Sequence, residues 1–554
     1  MAAESGVPVP VDAPRATCDS LGARAMSTET VDAVVIGAGP NGLTAAAALA
    51  DAGWDVLVLE EQPQPGGAVR SAELHPGFRT DLFSAFYPLG AVSPAFAALD
   101  LESHGLTWSR SPNSFGHPLG PEDEDAVVVA RRAEDTAADL ERRCAGDGEA
   151  WMTLVEQWNR VRSSLLKLLL SPFPPVRGST SLLRALGPAE SLRFARMLAL
   201  PVRRLSEELF DGEAARLLLL GNAMHSDIPP DAPGSGVMGY ILTMLAQDVG
   251  FPCPVGGAGA LTDALVRRGE HAGVQIRCGD RVTDIDVEDG TAVAVRTAGG
   301  RRVKVRRAIL ADVSAPALYE KLLASSSVTE RARADLQGFE WDTPVVKVNY
   351  ALDSPVPWRS ESLSRTGTVH VGADSNAMVR WSADLSTGVV PESPFLLFGQ
   401  MTTTDPTRSP AGTESAWAYT HLPRGVTDDE SADVLAERVD AQLEAYAPGF
   451  RDTVLGRTVQ RPADLEAADA NLVGGAVNGG TAQIHQQLFL RPAPGLGGSR
   501  TPVGKLYLAS AGAHPGGGVH GMCGWNAADA ALQDQRATGP LRRGLHALGR
   551  RVMS

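Results

Sequence analysis

Six consecutive residues near the N-terminus, Gly37-Ala38-Gly39-Pro40-Asn41-Gly42, have the types and spacing to hold a pyrophosphate. Gly37 permits a tight turn, Gly39 lets a phosphate approach the backbone, and Gly42 lets a helix pack close to a sheet. Glu60, eighteen residues beyond Gly42, stands where a carboxylate accepts hydrogen bonds from a ribose. Gly66 and Gly67 follow, so the backbone can pass beside a dinucleotide a second time. Arg70, just after them, either faces a phosphate or lies solvated in a turn. A third cluster, Gly516-Gly517-Gly518, lies near the C-terminus between His514 and His520.

Glycines do this chemistry only when regular elements position them. Residues 33–36 read as an apolar strand running straight into Gly37, and an alanine-rich helix follows and stops at Gly53. A second apolar strand, 56–59, ends on Glu60. The helix start then offers free N–H groups and the positive end of its dipole to the phosphates. At the other end of the chain, residues 506–509 read as a strand feeding the third glycine cluster, with a helix expected to begin near Gly524. Such a helix end, aimed at a flavin ring, stabilises negative charge on the reduced ring.

Length and composition bound the rest. The 554 residues allow on the order of three or four domains and a large core. A formal charge of -15 argues against nucleic acid as a partner, because phosphate neutralisation needs basic surface. The five cysteines (Cys18, Cys144, Cys253, Cys278, Cys523) include no CxxC or CxxxxC pair. Metal-ligand spacing and a redox-active disulfide are therefore both not expected, and the usage suits a reducing compartment. Residues 1–30 lack a continuous apolar run, so they read as a disordered leader, with Met26 a second candidate start. No stretch reaches eighteen uninterrupted apolar residues, so no membrane span is expected. The expected location is cytoplasmic, with a peripheral membrane position as the variant.

Between the glycine clusters the pattern changes several times. From about Asp135 to Gly250 it is helical, with Asp135 and Asp211 as candidate caps. Between Ser163 and Leu220, leucine runs are interleaved with Arg184, Arg193, Arg196, Arg203 and Arg204. That is the composition of a membrane-interface helix, or of a helical cap with solvated arginines, and the second reading is preferred. Residues 251–265 place a glycine turn before a helix, but no strand leads into it, so a second dinucleotide site is not expected. Short strands at 282–287, 292–296 and 303–305, joined by Asp289-Gly290 and Gly299-Gly300, form a meander, and 308–311 reads as a separate buried strand. Strands at 345–352, 368–371, 395–402 and 416–421 form another layer. With them goes a helix running to Ala445 behind a capping box of Thr427 and Glu430.

Four stretches carry a family resemblance: VVIGAGPNGLTAAAALADAGWDVLVLE, PGGAVRSAELHPGF, FPCPVGGAGAL and YLASAGAHPGGGVHGMCGWNAA. In them the chain resembles the phytoene desaturase-like FAD-dependent oxidoreductases. Two further stretches, Thr404-Asp405-Pro406-Thr407 with Pro410-Ala411-Gly412 and Gln487-Leu488-Phe489 with Arg491-Pro492, look more like one branch. That branch holds the pyridine nucleotide-disulfide oxidoreductase domain 2 proteins and the desaturase-like carotenoid ketolases. The resemblance spans residues 31 to about 535 and is loose between 100 and 250. It implies an α/β, Rossmann-type FAD-binding domain of the glutathione reductase/amine oxidase type, discontinuous over 31–100, 251–334 and 496–540. A helical cap (101–250), an α+β substrate domain whose sheet occupies 335–495, and a tail (541–554) complete the implied organisation. The implied FAD contacts are Gly37, Gly39, Pro40, Asn41, Gly42, Glu60, Glu61, Gly66, Gly67, Ala68, Arg70, Val282, Gly512, Gly517, Gly518 and Val519. Two positions depart from the wider group: Ala68 stands where an arginine often follows the paired glycines, and Gly512-Ala513 replaces Gly-Asp.

The same resemblance implies a hydride leaving a carbon of an apolar, isoprenoid- or carotenoid-like substrate for flavin N5, with little acid–base machinery. His514 and His520 are the catalytic candidates for proton transfer, and backbone-capping histidines in a tight loop are an equal alternative. An amine oxidase-like enzyme is a rival reading and requires a polar or aromatic cage for a cationic amine. A non-catalytic prenyl binder of the GDP dissociation inhibitor type is another, and the retained flavin-facing glycines argue against it. Only one strand–glycine–helix unit is present, so NAD(P) is not expected as a tightly held second cofactor. Electrons are then expected to pass to oxygen, a quinone or a transient carrier.

Overall fold

The computed structural model describes residues 29–172, 174–324, 328–372, 374–536 and 544, and two seven-stranded sheets organise it. The leader up to residue 28, the alternative start Met26, and the tail apart from Gly544 lie outside the described residues. Strand β1 (Glu29–Ile36) is the centre of the first sheet. It pairs in parallel with Arg302–Ala311 on one side and with β2 (Val56–Leu59) on the other. Its last six residues are buried, as in a strand covered by helices on both faces. Gln275–Arg277 and Leu506–Leu508 extend the parallel part, and Val282–Glu288 and Thr291–Thr297 add the antiparallel meander.

The expected strands at 303–305 and 308–311 are one continuous ten-residue strand. Between the two expected segments, Arg306 and Arg307 lie opposite the single residue Asp32 of β1 in a register shift, and both reach its carboxylate, at 2.7 and 3.3 Å. Helix α1 (Pro40–Asp51) starts with proline at its first position, after an extended Gly39. Its alanines pack against the sheet and the C-terminal helix Met522–Asp534, which begins two residues before the expected Gly524.

The second sheet runs, in spatial order, Val454–Gln460, Val345–Leu352, Glu414–His421, Leu396–Gln400, Thr366–Val371, Asn113–His117 and Val127–Ala130. Its last two strands come from the stretch expected to belong to the helical cap. The helices proper begin at Ala133 and end at Asp248. Arg132 and Gly212 occupy the N-cap positions where Asp135 and Asp211 were expected. Asp428, not Thr427, caps Asp429–Tyr446 by accepting from the Ser431 N–H. The strand expected at 395–402 stops at Gln400, because Glu414 gathers the amides of Thr402 and Thr403 into a helical turn.

Side chains alternate along a strand, and here both faces are covered. One face carries Val346, Val348, Tyr350, Leu396, Phe398 and Ala418 and packs on the helix Asp429–Tyr446. The other carries Lys347, His370, Trp417, Tyr419 and His421 and meets the helical cap. Among the described residues no helix is long and apolar enough to cross a membrane, and no cluster of His, Cys, Asp and Glu could hold a metal.

Candidate active site

A long cleft runs along the C-terminal ends of β1, β2 and Arg302–Ala311, where parallel sheets bind ligands. Gly37, Gly39, Pro40, Asn41, Glu60, Glu61, Gly67, Ala68, Val282, Gly512, Gly517, Gly518 and Val519 line it. Gly42, Gly66 and Arg70 stand behind its wall. The Gly42 N–H donates to Asp312 Oδ2 at 2.8 Å, and a Cβ there would lie 2.1 Å from the Gly37 carbonyl oxygen. Gly66, at φ +123°, gives its N–H to the Ala38 carbonyl. Arg70 is not part of the cleft lining. It donates to the carbonyls of Gly67 (2.9 Å) and Ala468 (2.7 Å), bracing the glycine pair.

Glu60 is fixed at both oxygens, accepting from the N–H of Ala38 (2.7 Å) and of Gln62 (2.8 Å). Burial pushes its pKa up, and those two amides oppose the rise. Asp312 was not anticipated, although it directly follows the strand end at Ala311. Its Oδ2 lies 2.9 Å from where a Gly39 Cβ would stand, and burial pushes its carboxyl up to about 8. A neutral carboxyl at pH 7 does not repel a pyrophosphate. The Asn471 side chain ties the neighbouring loop to this strand end: it donates to the Asp312 carbonyl (3.1 Å) and accepts from the Ser314 N–H (2.7 Å). Residues just past the end of a parallel strand line the ligand cleft, and that rule locates Asp312 and Ser314 from sequence. Nothing in the sequence marks 469–479.

The loop Val477–Gly480 forms another part of the wall, held from both sides. Asp342 accepts from the N–H groups of Val477 (2.7 Å), Asn478 (2.8 Å) and Gly480 (3.3 Å). Arg491, fully buried, donates to the carbonyls of Asn478, Gly479, Gly480, Thr481 and Ala511 at 2.7–3.3 Å. An isolated buried charge is costly; here peptide dipoles join the acid to the base. His514 and His520 are outside the cleft wall. His514 Nε2 bonds the Ser171 carbonyl at 3.0 Å, and His520 Nδ1 accepts from the Met522 N–H at the start of the last helix. Burial lowers both to about 4, so they sit neutral against the backbone.

Next to Ala68 and Val519 on the cleft wall, a set of partly exposed apolar side chains marks an interior chamber. Phe83, Phe86, Leu89 and Tyr419 keep part of their surface exposed there, although they lie between the sheets and the cap. Lys347 sits in the same wall. Its Nζ donates to the carbonyls of Asp81 and Phe83 and lies 5.6 Å over the Trp417 ring. Burial lowers its pKa to about 7, with Asp81 partly opposing.

The cleft residues fit FAD. A Cβ on Gly67 would stand 3.2 Å from the Gly39 Cα, so only bare backbone leaves room between these segments. Gly37–Asn41 would hold the pyrophosphate and Glu60 the ribose, with Gly517–Val519 at the flavin end. Matching to family models agrees. Residues 35–99 match the NAD(P)-binding Rossmann-like domain, and residues 132–532 match the flavin containing amine oxidoreductases. The chain belongs to the flavin containing amine oxidoreductase family, and its cofactor is FAD.

Within that superfamily the chain is similar to desaturases. It is 29% identical over 551 residues to pyridine nucleotide-disulfide oxidoreductase domain-containing protein 2 of Rattus norvegicus, covering 91% of this chain and 93% of that one. It is 26% identical over 502 residues to the zeta-carotene-forming phytoene desaturase of Myxococcus xanthus, covering 89% and 92%. A solved structure of putrescine oxidase bound to putrescine superposes with a TM-score of 0.57 at 17% identity, covering 92% and 99%, and so shares the fold. The resemblance to phytoene desaturase-like FAD oxidoreductases read from the sequence stands.

Proposed function

We propose that this flavoprotein dehydrogenates an apolar, isoprenoid- or carotenoid-like substrate. Two hydrogens would leave adjacent substrate carbons, one as a hydride with bound FAD as the two-electron acceptor and one as a proton passed to solvent, and a C=C bond would form. Bound FAD supplies the electron sink. This chain's residues hold and orient the cofactor, and the chamber walls exclude water from the reacting carbon. The observation that carries the reading is the aromatic and aliphatic lining of the chamber beside the flavin end of the cleft: Phe83, Phe86, Leu89, Trp417 and Tyr419. The reduced cofactor is reoxidised by oxygen, a quinone or a transient carrier. We propose also that the helical segment Val176–Ala199, kinked at Gly187, rests on a membrane surface, since Val176, Leu183 and Leu192 are exposed between arginines. The test is anaerobic mixing of holoenzyme with an isoprenoid hydrocarbon and, separately, with putrescine. Flavin bleaching by the hydrocarbon supports the proposal; bleaching by the diamine alone replaces it with amine oxidation.

A further inference from the structure

We infer that the chamber contains a recognition site for a neutral oxygen function, hydroxyl or carbonyl, on an otherwise apolar substrate, with the Tyr419 hydroxyl as its contact group. The inference rests on the proposed function for the apolar body and deepens it by naming a polar group that the substrate carries. Glu414–His421 is an inner strand of the second sheet, paired on both sides by Val345–Leu352 and Leu396–Gln400. All of its residues are buried except Tyr419. With a strand on each side and a helix on the opposite face, the exposed surface of Tyr419 opens into interior space. The ring packs in one cluster with Ala68 and Leu472, both of which line the cofactor cleft. Among the described residues no group hydrogen-bonds the Tyr419 hydroxyl. The hydroxyl oxygen is not among the sealed, unpartnered polar atoms of the structure, so it keeps accessible surface to which a ligand oxygen can bond.

Two residues further along the same face, His421 sets the polarity of the site. Its Nε2 lies 2.9 Å from Asp227 Oδ1, and its Nδ1 lies 3.1 Å from Thr343 Oγ1. Asp227, in a left-handed backbone conformation, takes the Asn478 side-chain N–H on its other oxygen at 2.9 Å. His421 is thus held between the Asp227 carboxylate and Thr343, and acts as a positioning residue rather than a contact. Burial opposes its charge, and the Asp227 carboxylate overrides it, so the pair is internally neutralised. Burial, and then Asp227, hold the Tyr419 phenol well above its ordinary range, so it stays a proton donor. A neutral donor beside a compensated ion pair suits an uncharged oxygen; an ammonium would have no counter-charge, and the cross-strand cation Lys347 has its Nζ turned onto the carbonyls of Asp81 and Phe83 rather than toward a ligand carboxylate. Trp417, stacked on Tyr419 at 5.8 Å, offers apolar surface to the rest of the molecule.

The test uses holoenzyme titrated with a C15 isoprenoid alcohol and with the hydrocarbon of the same skeleton, read by perturbation of flavin absorbance. The alcohol is expected to bind at least about tenfold more tightly, and Tyr419→Phe to bring it down to the affinity of the hydrocarbon. His421→Gln is expected to lower the preference several-fold with flavin content intact. Equal affinities in the wild type, a preference that survives Tyr419→Phe, or binding of neither ligand overturns the inference. Bleaching by the hydrocarbon without a preference for the alcohol removes this inference alone. A preference that depends on Tyr419 without bleaching by either ligand removes the dehydrogenase reading alone.

Discussion

At the cofactor cleft the wall is largely backbone: Gly39 and Gly67 approach one another, Gly37 lies against the Asp312 carbonyl, and amides fix Glu60. At the chamber the wall is side chain: Lys347, Trp417, Tyr419 and His421 project from two neighbouring strands of another sheet. The difference has a chemical origin. A pyrophosphate needs close N–H groups, so its site constrains residue type to glycine at set spacing. An apolar molecule needs shape, which many combinations of side chains supply. Each region also holds a buried ionisable group pushed far toward neutrality, with opposite sign: Asp312 in the cleft and Lys347 in the chamber.

The comparison breaks most easily at Gly39. Gly39→Val places a branched side chain at the position where even a Cβ meets Asp312 Oδ2 at 2.9 Å. The purified variant should be colourless, with FAD affinity lowered by more than about a hundredfold. Full flavin occupancy would mean that the phosphate lies elsewhere. Glu60→Ala comes next. Loss of charge-assisted hydrogen bonds worth roughly 1.5–3 kcal/mol weakens FAD by about one to two decades in a titration of apo-protein. Unchanged affinity removes the ribose assignment.

The buried acid and the buried base sharpen the contrast through pH. Asp312 titrates at about 8 in the folded protein against an ordinary 3.8, so its contribution to stability is full below about pH 4 and is lost as pH rises through 8. Asp312→Asn should leave the Tm of apo-protein nearly unchanged near pH 4 and raise it by a few degrees near pH 9. Lys347 titrates at about 7 against 10.5, so its contribution is full above about pH 10.5 and is lost as pH falls through 7. The Tm difference between Lys347→Met and wild type should therefore shift in favour of the variant as pH falls from about 10 to about 5. Parallel Tm–pH curves for variant and wild type would show that these groups do not titrate as their burial implies.

Smaller effects are expected where the chain offers nucleotide or lipid less. The glycine turn before the helix Gly259–His271 follows only a two-residue strand, Cys253–Pro254. Its amides are already taken: Gly256 by Asp405, Ala258 by Asp81 and Gly259 by Ser71. Anaerobic stopped-flow mixing with NADH or NADPH should give no rapid, saturable bleaching at micromolar nucleotide, and such bleaching would reveal a nicotinamide site. The weakest effect is at Val176–Ala199. Co-sedimentation with anionic liposomes should be partial and fall with salt; no sedimentation at all returns this helix to a solvated cap.

The sequence by itself determined the first sheet's core, the glycine motif and the acid that ends its second strand. These depend on local pattern: apolar strand, turn, helix and strand within about thirty residues. It also located the C-terminal glycines, because strand and helix flank them directly. It did not separate the packing role of Arg70 from a phosphate contact, since only the fold brings Ala468 within reach of its guanidinium. The lysine in VVKVNYAL and the tyrosine in ESAWAYTH sit at alternate positions that on a half-exposed sheet would face water. Tertiary structure turned that face inward by laying the helices 133–248 across it, so polar residues became the lining of a chamber. Tyr419, His421, Asp227 and Asn478 lie up to 251 residues apart in the chain. No spacing rule reaches that far; only the packing of cap, sheet and loop against one another decided that they meet.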